Sequence, residues 1–115
     1  MSRERVQRVL PELRRLNRMK EKDRKRFIAT CNKDFIHCIC ECVKNLLKGH
    51  LPVKRCHLKS LSRHKQSLRK LALKKTTLNK RKQILQKGGF LGLLLGPLVT
   101  GLSSLLSNLV ENGSR

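Results

Sequence analysis

The chain contains no tryptophan or tyrosine, and only three phenylalanines, Phe27, Phe35 and Phe90. Its core must therefore come from Leu, Ile, Val and Cys, which suits packed helices. With no aromatic residues interleaved among the cations, stacking on the bases of single strands has little to work with. Acidic residues are also scarce, at 7 against 28 Lys+Arg, for a formal net charge of +21. From Lys44 to Val110 there is no acid at all. Six acids (Glu4, Glu12, Glu21, Asp23, Asp34 and Glu41) are scattered through the basic N-terminal part. There they suit i, i+4 partnership with arginine better than general acid–base work. The five cysteines form no CxxC pair and no secreted-type framework. The first residues lack the apolar stretch of a signal peptide. A reducing compartment is therefore the expectation.

Two compositions share the 115 residues. Residues 1–87 hold 27 of the 28 cations, whereas Gly88 to Val110 holds no charged residue. One part is built to meet a polyanion and the other to leave water. At this length one domain with tails is the upper bound. The uncompensated charge opposes compaction and predicts that part of the basic region orders on its partner. The natural divisions are a basic helical region over 1–32, a basic helical domain over 33–87 and an apolar tail over 88–115.

Hydrophobic spacing predicts an all-α fold, a small bundle of amphipathic helices. Val6, Val9, Leu10, Leu13 and Leu16 fall on one helical face, with Pro11 as the start of the helix or a kink in it. A short helix follows over Glu21–Ala29. Asp34 is placed to cap a helix over Phe35–Lys48, with Gly49 as its stop. A long basic helix is predicted over about Arg55 to Leu73 on Leu58, Leu61, Leu68, Leu71 and Ala72. Thr76 or Thr77 can cap a further segment that ends at Gly88 and Gly89. In the tail, Gly92, Gly96 and Pro97 interrupt the first half. Leu98, Val99, Leu102, Leu105, Leu106 and Leu109 oppose Thr100, Ser103, Ser104 and Asn108 in the second.

The basic region reads as a binder of phosphate backbones. Each neutralised phosphate releases counterions, so many Lys and Arg give salt-sensitive, sequence-blind affinity. The residues nominated for phosphate contact are Lys54, Arg55, Lys59, Arg63, Lys65, Arg69, Lys70, Lys74, Lys75, Lys80, Arg81 and Lys82. None of them is assigned to base readout. The apolar tail, with Phe90, Leu91, Leu94, Leu98, Leu102, Leu105, Leu106 and Leu109 as its contact residues, has three open readings. It spans a membrane, lies in a membrane interface, or packs against this chain's helices or another subunit. Gly92 and Gly96 form a GxxxG pair, a weak signal alone. The cysteines and histidines offer no tight ligand pairs, so neither a metal nor any other cofactor is expected. Buried cysteine as a small apolar residue is the simpler reading. No nucleophile motif surrounds them, and the chain is read as non-enzymatic.

Three stretches carry a resemblance: DFIHCICECVKNLLKGHLPV, LRKLALKK and KRKQILQKGGFLGLLLGPLVTGLSSLL. Their order over residues 33–110 resembles the X-like small basic proteins of adintoviruses and Polinton (Maverick) elements. Residues 80–107 are similar in composition to the core protein X (mu) precursor of adenoviruses. The resemblance implies a virion component, present in the host nucleus during assembly, that condenses a double-stranded DNA genome. It also implies cleavage after Gly89 by a viral cysteine protease that cuts at Gly-Gly sites. The pattern departs at Gln86, where that protease prefers Met, Ile or Leu. Membrane contact through residues 90–110, self-association, and RNA binding by a cellular basic factor are the other expectations left standing.

Overall fold

The computed structural model describes residues 3–87 and 89–113, with side-chain surroundings through Ser107. The fold is all-α. In chain order it comprises α1 (Arg3–Arg18), α2 (Glu21–Thr30), α3 (Lys33–Leu47), α4 (Arg55–Leu61), a 3-10 turn (Ser62–His64), α5 (Lys65–Ala72), α6 (Leu78–Leu85) and α7 (Phe90–Gly113).

The apolar stripe of α1 is buried at the positions its spacing predicts: Val6, Val9, Leu10, Leu13 and Leu16. Pro11 sits on the exposed side, inside a helix that runs through it. The helix neither begins nor ends there. A mid-helix proline costs about 3 kcal/mol. Each fully buried Leu or Val returns roughly 1.5–3 kcal/mol, so five of them outweigh it.

The same arithmetic accounts for α7. Gly92, Gly96 and Pro97 were expected to interrupt it, yet the helix is continuous across them. Phe90, Leu91, Leu94, Leu95, Leu98 and Leu102 are all buried on it. This stretch lies inside the bundle and packs chiefly against α1. Arg24 donates through Nε to Leu16 O (3.1 Å) and through Nη2 to Asn17 O (2.8 Å). Its guanidinium rests over Gly92, where a larger residue would collide with it. Arg14 Nη2 donates to Ser103 Oγ at 3.1 Å. Through Arg24 the start of α7 lies beside the end of α1.

α3 begins two residues earlier than expected from an Asp34 cap. Asn32 is the N-cap, with its side chain accepting from Phe35 N at 2.9 Å, and Asp34 lies inside the first turn. There its charge favours the positive end of the helix. The helix closes as expected at Gly49, which adopts φ +75°. His50 N donates to Asn45 O (2.9 Å) and Gly49 N to Leu46 O (3.1 Å), the paired bonds of a Schellman cap.

The predicted long helix over Arg55 to Leu73 is broken into α4, the 3-10 turn and α5. α4 packs against α7, whereas α5 packs chiefly against α3. The turn re-aims the chain between these two partners. Leu58, assigned to the apolar face, is 48 % exposed, while Leu61, Leu68 and Leu71 are buried. Thr77 caps α6 by accepting from Lys80 N at 3.2 Å.

One hydrophobic cluster joins residues from all seven α-helices, α4 contributing Leu61, with Leu51 from the loop after α3. Among the described residues no polar or charged side chain is buried as a whole.

Candidate nucleic-acid interface

The nominated cations occupy α4, the 3-10 turn, α5, the following loop and α6. Lys54 is the N-cap residue of α4, and Arg55 and Lys59 stand on the helix. Arg63 lies in the 3-10 turn. On α5, Leu68 and Leu71 are buried while Lys65, Arg69 and Lys70 are exposed. Lys74 and Lys75 follow in the loop, and Lys80 lies on α6; all three are exposed.

Arg81 and Lys82 differ from the other ten. Both are partly buried. Arg81 Nη2 donates to Leu73 O at 2.8 Å, tying α6 to the end of α5, and its Nε is buried without a partner among the described residues. Lys82 Nζ donates to Ala29 O at 3.3 Å, at the end of α2. Part of their donor capacity serves the fold, leaving the exposed ten as the surface available to phosphate.

No carboxylate lies in this stretch. Six of the seven acids sit on α1, α2 and α3, and two of them make contacts within the fold. Glu41 pairs with Arg5 at 2.8 Å. Glu21 Oε1 accepts from Gly89 N at 2.7 Å, which ties the start of α2 to the start of α7. Arg5 titrates above its ordinary value, through its hydrogen bond to Cys38 first and the charge of Glu41 second.

The structure exposes a further basic face that the nominated set does not include. Arg8, Arg15 and Arg18 are exposed on α1, opposite the stripe buried against α7, with Arg3 and Arg14 on one flank. Their spacing of i, i+7 and i+10 is legible in the sequence once the opposite side of the helix is known to be buried.

The apolar positions of the tail divide along its length. Phe90, Leu91, Leu94, Leu98 and Leu102 are buried, and Leu105 and Leu106 are half-buried against the same cluster. Leu109 lies outside the described side chains and Gly88 outside the described residues. Gly89 is exposed and adopts φ +76°, a backbone conformation that favours glycine. By length and composition, the Phe90–Ser107 stretch is apolar enough to cross a membrane.

Cys40 and Cys42 lie in the core. Burial pushes the Cys40 thiol up to about 11, against the opposing pull of Arg81. Burial first, and then the neighbouring Cys38 and Glu41, push Cys42 up to about 12. Cys31 is also raised by burial, opposed by Lys82. Such thiols stay protonated near neutrality and are poor nucleophiles. Cys56 is exposed. Among the described residues no group of three or more His, Cys, Asp or Glu is placed to hold a metal ion.

No family model, curated protein or solved structure matches this chain.

Proposed function

We propose that this protein binds and condenses double-stranded DNA without regard to sequence, as a virion core component of the X-like kind. The observation that carries the reading is the stretch from Lys54 to Lys82, with twelve cations and no carboxylate. Ten of those cations are exposed on short helices and the turns that join them, held against an apolar core. Cations spread along helices neutralise backbone phosphates, and the scarcity of aromatic side chains favours duplex over unstacked single strand. Each cation acts as a replaceable unit of charge.

The test is a titration of the full chain with two duplexes of equal length and unrelated sequence, over a range of salt. The expected result is equal affinity for both, with a steep linear fall of log K against log salt. Replacing Lys65, Arg69, Lys70 and Lys74 with Gln should weaken both duplexes alike. Loss for one sequence alone would contradict the reading. Competition with structured RNA of the same length separates a DNA-condensing protein from an RNA-binding one.

Cleavage after Gly89 belongs to the same reading. A cut there would sever the backbone at an exposed residue, leaving α7 held by its buried contacts. Intact mass of the protein from mature, nuclease-treated particles tests it. A mass that still includes the tail contradicts processing and leaves DNA binding untouched.

The second reading, a membrane-active protein, is favoured by the apolar length of α7 alone. The burial of Phe90, Leu94, Leu98 and Leu102 supports the tail as an internal packing element instead. Leakage from neutral-lipid vesicles that depends on residues 90–110 would reverse that order.

A further inference from the structure

α1 and α5 belong to different helix pairs. α1 packs chiefly against α7, and α5 packs chiefly against α3. Each turns its apolar side into the shared core and its cations outward. On α1 the outward cations are Arg8, Arg15 and Arg18; on α5 they are Lys65, Arg69 and Lys70. Glu4 shares the outward side of α1. Glu12 lines a groove against α2 and α3 with Glu4, Arg5, Arg8, Phe27 and Phe35, so Arg8 borders carboxylates while Arg15 and Arg18 do not line it.

From this arrangement we infer that the chain carries two separate duplex-binding faces, and that one molecule bridges two duplexes. The inference rests on the DNA-binding reading and adds to it how condensation would occur. A protein with one basic face coats a duplex and lowers its charge. A protein with two faces also holds neighbouring duplexes together.

Two faces need room between their duplexes. The bundle's smallest extent is 27 Å, several times the screening length of about 8 Å at physiological ionic strength, so duplexes held on opposite sides of it would hardly repel each other.

The experiment uses the full-length protein, a biotin-tagged duplex on streptavidin beads and a fluorescent duplex free in solution. Protein loaded on the beads reports binding to one duplex, and bead fluorescence reports capture of a second. Two variants each weaken one face: Arg8→Gln with Arg15→Gln and Arg18→Gln, and Lys65→Gln with Arg69→Gln and Lys70→Gln. All six positions are exposed, and an unchanged thermal midpoint confirms that each variant is folded.

The wild type should load and capture. Each variant should still load, the α1 variant with an unchanged salt slope and the α5 variant more weakly, while capture falls further than loading, by roughly tenfold or more. Mixing the two variants should not restore capture, because neither molecule has two full-strength faces. The inference is overturned if capture falls only in proportion to loading. It is overturned equally if the α1 variant flattens the salt slope of loading by about three units, the result for one continuous surface around one duplex. Recovery of capture on mixing would also overturn it, in favour of bridging by self-associated copies. A wild type that fails to load refutes the DNA-binding reading itself.

Discussion

α5 and α7 meet the same solvent with opposite materials. α5 is eight residues long, with Leu68 and Leu71 buried and three cations exposed. α7 has no charge from Phe90 to Val110, and its six buried apolar side chains make it a central part of the core. The two helices divide the work. α7 supplies burial, and α5 draws on that burial to display charge that would otherwise drive the chain apart. Substitutions in α7 should therefore change stability, and substitutions in α5 should change affinity. Crossed effects would break the comparison.

The largest expected effect is on α7. Leu94→Ala or Leu98→Ala should destabilise the fold by about 2–5 kcal/mol, read from chemical denaturation, because both side chains are fully buried. Duplex affinity measured where the variant is still folded should be unchanged. An equal loss of affinity would mean that α7 itself contacts DNA.

The glycines of α7 sharpen the comparison within one helix. A methyl at Gly101 would come within 2.7 Å of Leu51 Cγ and 2.9 Å of the Pro52 carbonyl oxygen. Gly101→Ala should cost about 1–3 kcal/mol, since a backbone carbonyl cannot easily yield. Gly96 has nothing within 4 Å of that position. Gly96→Ala should instead stabilise, by up to about 1 kcal/mol, through helix propensity. The same sign for both would show that α7 is not seated as described.

The helix caps come next in size. Asn32→Ala should cost about 1 kcal/mol through loss of the bond to Phe35 N, and Asp34→Ala should cost less. Thermal midpoints of the pair would decide which residue caps α3.

The smallest effect is the pH dependence of the core. Cys40 and Cys42 have folded-state pKa values raised from 9.0 to about 11 and about 12. A raised pKa favours the protonated form in the folded state, so this contribution to stability is intact below pH 9. It is lost as pH climbs toward 11 and 12, because the unfolded chain ionises first. Denaturation curves should show stability declining above pH 9, and the decline should shrink in Cys40→Ala. In native protein, alkylation should modify Cys56 well before Cys40 or Cys42.

Much of the fold was legible because the chain relies on apolar spacing. The stripe of α1 maps residue for residue onto the core. The end of α3 was legible because Gly49 has a conformational reason to be there. The break at Ser62–His64 was not legible. Leu58, Leu61, Leu68 and Leu71 keep an acceptable helical rhythm across it, and only the different packing partners of α4 and α5 require a turn. The continuity of α7 was hidden for the opposite reason. Gly and Pro are local signals against a helix, and the burial that outweighs them is tertiary. For the candidate interface, charge pointed to the α4–α6 stretch. It could not show that Arg81 and Lys82 bond to backbone carbonyls of the fold, or that α1 turns a second row of arginines outward.

The most direct test of the account is lysine reactivity, mapped by mass spectrometry after brief acetylation with and without duplex DNA. The account predicts protection of Lys54, Lys59, Lys65, Lys70, Lys74, Lys75 and Lys80 by duplexes of any sequence, reversed by high salt. Unchanged labelling at these lysines while the protein is bound to duplex would contradict it.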